Sequence, residues 1–184
     1  RRRLEQLLPQ VAALKDQVEQ AGVSRIEKLD DLVPLLFNHT TYKSYPISLL
    51  ENNRFDMLTR WLQRITVVDL SGIDARECRG VDEWMTLLET KTPLQIFHTT
   101  GTTGKLSFIP RTTLEADFWN HIYLSSYAGL SSEAGIKFGS DKKLRLPVIY
   151  PSARNGRYMT QRMVRFLAEN VAPTPEECYT LSNG

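Results

Sequence analysis

One-sided charge is missing from this 184-residue chain: 23 lysines and arginines stand against 21 aspartates and glutamates, a formal net charge of +2. That balance leaves no electrostatic footprint for nucleic acid. Long apolar runs are missing as well. None approaches the roughly 20 residues that span a bilayer. Arg1-Arg2-Arg3 is followed by Leu4-Glu5-Gln6 rather than by the apolar stretch of a signal peptide, so the basic cluster reads as a solvated end and the expected location is the cytoplasm. Cysteine is scarce. Cys78 and Cys178 lie far apart with no paired spacing, and free thiols are expected rather than a disulfide framework. His39 and His121 have no partners at metal-ligand spacing, so no metal site is proposed on them. Repeats and low-complexity tracts are absent. What remains, 41% hydrophobic and 24% charged residues, is the composition of a chain that buries a core.

Periodicity divides the chain into a mainly helical part, residues 1–90, and an α/β part, residues 91–184. Leu4, Leu7, Val11, Leu14, Val18 and Ala21 alternate three and four apart, one apolar helical face that Gly22 closes. Pro9 predicts a kink or a first helical position within it. Ser24-Arg25-Ile26-Glu27 and Ser48-Leu49-Leu50-Glu51 have the form of capping boxes, predicting helices from each. The first ends near Pro34 or Phe37, and the second continues through Phe55, Leu58, Trp61, Leu62 and Ile65. Val67–Leu70 is read as extended and Ser71–Asp74 as a turn. Val81, Trp84, Met85 and Leu88 mark another helix, ending before Pro93.

Leu94–His98 and Leu106–Pro110 then read as strands flanking a loop. Thr112-Thr113-Leu114-Glu115 opens a long helix through Phe118, Ile122 and Leu130. Leu144–Tyr150 reads as a strand, Pro151–Gly156 as a turn, and Arg157–Asn170 as a helix with Met159, Met163, Phe166 and Leu167 inward. The expected fold is α/β: a helical N-terminal third, then a mixed sheet with a strand–loop–strand hairpin and flanking helices. The chain opens within a helical run and stops just after a Pro-rich turn, which predicts a piece of a longer protein.

The loop is Thr99-Thr100-Gly101-Thr102-Thr103-Gly104-Lys105. Four threonines and two glycines build no core. Glycine frees the backbone for conformations closed to other residues. Successive free N–H groups beside a lysine suit an anion, phosphate above all. The nucleotide-hydrolase fingerprint G-x-x-x-x-G-K-[ST] fails here, because Thr99 stands at its first position and Leu106 follows the lysine. The dinucleotide pattern G-x-G-x-x-G is absent too.

The stretch instead resembles the phosphate loop of the acyl-adenylate-forming, AMP-binding superfamily, which reads [ST]-[ST]-G-[ST]-[ST]-G-x-P-K between two strands. Thr99 to Gly104 match throughout, Lys105 falls on the variable position, and Leu106 and Ser107 replace the proline and second lysine. The following Arg111–Glu115 with Phe118 and Trp119, and the upstream Tyr42–Pro46, are similar to the phenylacetate-CoA ligase-like branch.

The resemblance implies a piece, residues 1–184, of the large N-terminal domain of a ligase. Such an enzyme activates a carboxylic acid with ATP and Mg2+ as an acyl adenylate, then passes it to coenzyme A or another carrier thiol. Thr99, Thr100, Gly101, Thr102, Thr103, Gly104 and Lys105 would bind the nucleotide phosphates. The family's adenine-binding segment, hinge and catalytic lysine are not among these residues. The piece alone is expected to be inactive, and no catalytic residue is assigned.

Other candidates have a structural reading beside the functional one. His98 adjoins the loop, where it could contact a substrate or serve as a structural strand-end residue. Ser71–Asp74 is a turn, and Ser125-Ser126 sits on a helix without a triad. Arg154-Asn155-Gly156-Arg157 is a turn that could meet an anion. Trp61, Trp84 and Trp119 sit at helical core spacing. The alternative function is a non-catalytic docking module, its helical third joining a partner chain and its Thr/Gly loop a structural turn.

Overall fold

The computed structural model describes residues 2–23, 25–99, 104–133 and 145–182. The chain divides into two compact units, residues 1–96 with 100–112, and residues 97–99 with 113–184. The class is mixed α/β, and the described residues carry two separate two-stranded sheets where one mixed sheet is expected from sequence.

In the first unit, α1 (Arg2–Leu7) and α2 (Ala12–Ala21) share the apolar seam that the sequence predicts as one helix. Pro9 divides them, because it has no N–H to donate and its ring crowds the carbonyl one turn back. Gly22 ends α2 at φ +62°, the left-handed cap. Val11 and Leu14 pack with Leu35 in a small core.

Ser24 lies outside the described residues, and the helix expected from it does not form over 25–28. A 3-10 segment, Leu29–Leu35, follows instead. Its cap is Asp31, whose Oδ2 accepts the Glu27 and Lys28 N–H groups at 2.9 and 3.0 Å. Pro34 within the segment prevents an ordinary α-helix.

Ser48 does not cap a long helix either. Turn bonds accepted by the Pro46 and Ile47 carbonyls from the N–H groups of Leu49, Leu50 and Glu51 start the four-residue α3 (Ser48–Glu51). The chain then breaks at Asn53, φ +51°, before α4 (Phe55–Gln63). No strand forms at Val67–Leu70. The Gln63 amide donates to the Val68 carbonyl at 3.0 Å and accepts the Leu70 N–H at 2.5 Å, occupying the groups a partner strand needs. The turn after Leu70 forms as predicted, with Ser71 N–H on Asp69 Oδ1 at 2.9 Å.

The main core joins Phe55, Leu58 and Leu62 of α4 to Trp84, Met85 and Leu88 of α5 (Val81–Lys91), β1 (Leu94–His98) and β2 (Phe108–Thr112). Phe55 and Trp84 stack at 6.1 Å, and Trp84 meets Phe108 edge-on at 5.1 Å. The buried indole N–H of Trp84 donates to Thr59 Oγ1 at 2.8 Å, so the largest buried ring leaves no donor unpaired. Strand β2 starts two residues later than expected, because Leu106 is held by a side chain from elsewhere in the unit.

The second unit contains α6 (Thr113–Glu133), β3 (Val148–Ala153), α7 (Met159–Asn170) and β4 (Cys178–Ser182). Strands β3 and β4 are parallel, with Val148 opposite Cys178 and Tyr150 opposite Thr180. Helix α7 is the crossover that parallel neighbours require. Its Val164, Leu167 and Ala168 pack on Val148 and Cys178.

Strand β3 runs on through Ala153, where a turn is expected from Pro151. Met159 is 49% exposed because α7 begins with it, ahead of the buried face. Trp119 is 44% exposed rather than core, since the apolar residues of α6 do not gather on one side. Leu130 lies on α6 with its side chain outside the description, and Leu144 is outside the described residues. Strand β4 was not expected at all. Both cysteines are buried and unbridged. Desolvation raises both thiol pKa values, which makes them poor nucleophiles.

Candidate functional site

The centre of the Thr/Gly loop, Thr100, Gly101, Thr102 and Thr103, lies outside the described residues. Its two limbs are described, and each is tied down by local contacts. Thr99 is exposed at the end of β1. One residue earlier, His98 forms a parallel bridge with Tyr158, their rings 4.4 Å apart. The Arg162 guanidinium sits 5.1 Å above the Phe97 ring. The approach limb is thereby held to the start of α7.

On the exit limb, Gly104 has φ +75°, and a Cβ built there meets nothing within 4 Å. The glycine is needed for its backbone angle, not for space. A left-handed residue is one half of the paired right- and left-handed angles that make successive N–H groups converge on an anion.

Lys105 and Leu106 follow, and both are held by Tyr45. The Tyr45 hydroxyl donates to the Leu106 carbonyl at 2.7 Å. The Lys105 ammonium donates to the Tyr45 carbonyl and lies 4.5 Å from the centroid of the Tyr45 ring. Tyr45 is fully buried, with Trp61 edge-on at 4.9 Å and Phe108 at 5.6 Å. The Trp61 indole donates to Ser44 Oγ at 2.9 Å. Burial pushes the Tyr45 phenol up to about 12, so it is a protonated donor across the physiological range. Burial first, and repulsion from Lys43 second, lower the Lys105 pKa.

Tyr45 is the residue sequence reasoning missed. It lies 60 and 61 positions from its partners, in a stretch with no periodic signal. Its place between Ser44 and Pro46, in the upstream segment singled out by resemblance, is the only trace of it in the sequence.

The remaining candidates have structural partners. His121 Nδ1 pairs with the Asp117 carbonyl at 2.7 Å, and Ser126 Oγ donates to the Ile122 carbonyl at 2.9 Å, both one turn back on α6. Arg154 donates to the carbonyls of Pro175 and Cys178, anchoring the approach to β4. Gly156 has φ +132°, and a Cβ there would strike the Gln161 side chain. The turn at 154–157 needs its glycine for that backbone angle, since the Gln161 side chain can move aside. Trp84 is core as expected, and Trp61 lies at the core's edge against Tyr45. Among the described residues, no group of three or more His, Cys, Asp or Glu side chains forms a metal-holding cluster. No described helix is long and apolar enough to cross a membrane.

No protein-family model, curated protein or solved structure matches this chain.

Proposed function

We propose that this chain carries the phosphate-binding loop of an acyl-adenylate-forming ligase. The intact protein would activate a carboxylic acid at the expense of ATP, then transfer the acyl group to coenzyme A or a carrier thiol. In that reaction a carboxylate oxygen bonds to the α-phosphorus while the α–β phosphoanhydride breaks and pyrophosphate leaves. The thiol sulfur then bonds to the acyl carbon, and AMP leaves. Such chemistry asks the protein mainly for positioning and charge neutralisation.

The observation that carries the reading is the Thr99–Gly104 run, which leaves a strand at an exposed threonine and ends at a glycine with φ +75° facing open space. No acidic side chain interrupts the run to repel a phosphate. The hydroxyls and N–H groups of Thr99 to Thr103 would hold the β- and γ-phosphates. Magnesium would arrive on the triphosphate, coordinated by phosphate oxygens and water.

Titration of the intact protein with MgATP tests this. The expected result is saturable binding, weakened about tenfold or more by Gly101→Ala and by Thr102→Ala, since each removes a hydrogen bond to a charged ligand or the freedom to make one. Absence of nucleotide binding in the wild type removes the enzyme reading. Binding untouched by either substitution removes the loop from it.

A second reading has one observation in its favour. Leu29, Val33 and Leu36, in and beside the 3-10 segment, are 82%, 63% and 66% exposed. Large apolar side chains left outside in the helical third suit a partner chain. Under this reading the loop is a structural turn, and MgATP does not bind.

A further inference from the structure

We infer that a cleft in the first unit, walled by Trp61 and edged by the Asp16–Arg64 ion pair, binds a neutral polyhydroxylated ring, that is, a monosaccharide unit. The cleft lies between α2, the segment 38–44 and the C-terminal end of α4, and has a volume of about 650 Å3. Small-molecule sites run from roughly 300 to 1,000 Å3. The groups invoked lie outside the Thr/Gly run, so the inference does not depend on the phosphate-loop reading.

Local bonds fix what each wall offers. Gln17 on α2 spends both amide N–H groups on the Pro34 and Leu36 carbonyls, at 2.8 and 3.0 Å. Its Oε1 is left as an acceptor. Asn38 is the reverse. Its Oδ1 accepts the Thr40 and Thr41 N–H groups at 2.9 and 3.2 Å, and the Thr40 hydroxyl as well. Its amide N–H groups are left as donors. Arg64 gives one N–H to Asp16 Oδ2 at 2.6 Å. The second Asp16 oxygen and the remaining Arg64 N–H groups have no partner among the described residues. The Trp61 indole N–H is spent on Ser44 Oγ at 2.9 Å, so its ring meets the cleft as an apolar surface.

This set selects against charge. One carboxylate beside one guanidinium leaves no net field to draw a phosphate or a metal cation. What remains is an apolar wall, with donors and acceptors supplied from three parts of the chain. A nucleobase carries its polar groups in one plane and meets partners along an edge. A pyranose projects hydroxyls in several directions, each able to donate and to accept. Its C–H face packs on an aromatic ring. Neighbouring hydroxyls suit the ion pair: one donates to Asp16 while the next accepts from Arg64, and both bonds are charge-assisted.

The test is titration of the intact protein with glucose, galactose, mannose and N-acetylglucosamine. The readout is the Trp61 indole N–H resonance, assigned by its loss in Trp61→Phe. At least one of the four sugars is expected to move that signal saturably, with a dissociation constant of about 1 mM or tighter. Asp16→Ala and Arg64→Ala should each raise the constant about tenfold or more, through loss of a charge-assisted bond. The two side chains are 47% and 58% exposed, so their removal costs the fold little. Asp74→Asn is the control. It alters an exposed ion pair of the same unit that is not in the cleft, and should bind as wild type does. Failure of all four sugars to move the Trp61 signal overturns the inference. So does sugar binding that both alanine variants retain at wild-type strength. Adenosine, titrated in parallel, should leave the signal in place, and tighter binding of adenosine than of any sugar also overturns the inference. The phosphate-loop reading is tested by MgATP binding alone, so the two fail independently.

Discussion

The two compact units place their aromatic residues differently, buried in the first and largely exposed in the second. The first buries its aromatics: Tyr45, Phe55, Trp84 and Phe108 are all less than 2% exposed and in ring contact along a chain. The second builds its core from Val148, Val164, Leu167, Ala168, Val171, Ala172 and Cys178. It leaves Leu114, Phe118, Ile149, Tyr179 and Leu181 outside. Parallel strands are ordinarily covered on both faces. In β3 and β4 the Val148 and Cys178 side is covered by α7, while Ile149 on the other side is 84% exposed. The difference teaches where rigidity lies. Aromatic packing brings a firm support up to the loop's exit limb at Lys105 and Leu106, while the approach limb belongs to a unit with a thinner core.

That contrast predicts unequal costs of substitution. Trp84→Ala should be the most damaging, at about 3–5 kcal/mol, because it opens a cavity and takes away the indole N–H that donates to the buried Thr59 Oγ1. Leu167→Ala in the smaller core should cost about 2 kcal/mol, the low end for such a change. Chemical denaturation followed by circular dichroism measures both. Equal losses would break the contrast between the cores. Gly104→Ala comes next, at about 1–2 kcal/mol, since alanine resists the left-handed angle while open space receives its methyl.

The Tyr45 phenol gives a pH-dependent check. Its proton is held more tightly in the folded state, about 12 against an ordinary 10.0. Its contribution to stability is complete below pH 10, and is lost as pH rises from 10 through 12. Tyrosinate absorbance should show one phenol ionising only as the fold is lost, and Tyr45→Phe should remove that phase. The smallest effect belongs to Asp74. The adjacent Arg76 guanidinium holds its carboxyl down at about 2, in a fully exposed ion pair at 2.5 Å. Any stability it adds is present above pH 3.8 and lost as pH falls through about 2. Asp74→Asn should leave the melting temperature at pH 7 unchanged within error, as exposed pairs contribute little.

Local chemistry made part of this fold legible. The spacing of Val81, Trp84, Met85 and Leu88 gave α5, and apolar character gave β1 over Leu94–His98. Gly22 and the Ser71 turn behaved as their backbone preferences require. The errors share a cause, which is that a local signal lost to something nearby and stronger. Pro9, where a kink or a first helical position is expected, goes further and divides the seam into two helices. The Gln63 side chain took the hydrogen bonds that Val68 and Leu70 would have given a strand. Ser48 yielded to a backbone turn and to Asn53. Strand β4 has no local signal, because it is short and is held by its pairing with β3 and by the packing of Cys178 on α7. At the site, composition revealed the loop, but the Tyr45 clamp arises from contacts some 60 residues apart, and no window of sequence contains both ends.

The central claim is that the loop's own peptide groups grip a nucleotide phosphate. Amide resonances of the intact protein, recorded during titration with MgATP, address it most directly. The account predicts large, saturable shifts of the Gly101 and Gly104 N–H signals, absent when AMP replaces ATP because AMP lacks the β- and γ-phosphates. Nucleotide binding that leaves both signals in place, or no binding at all, would contradict it.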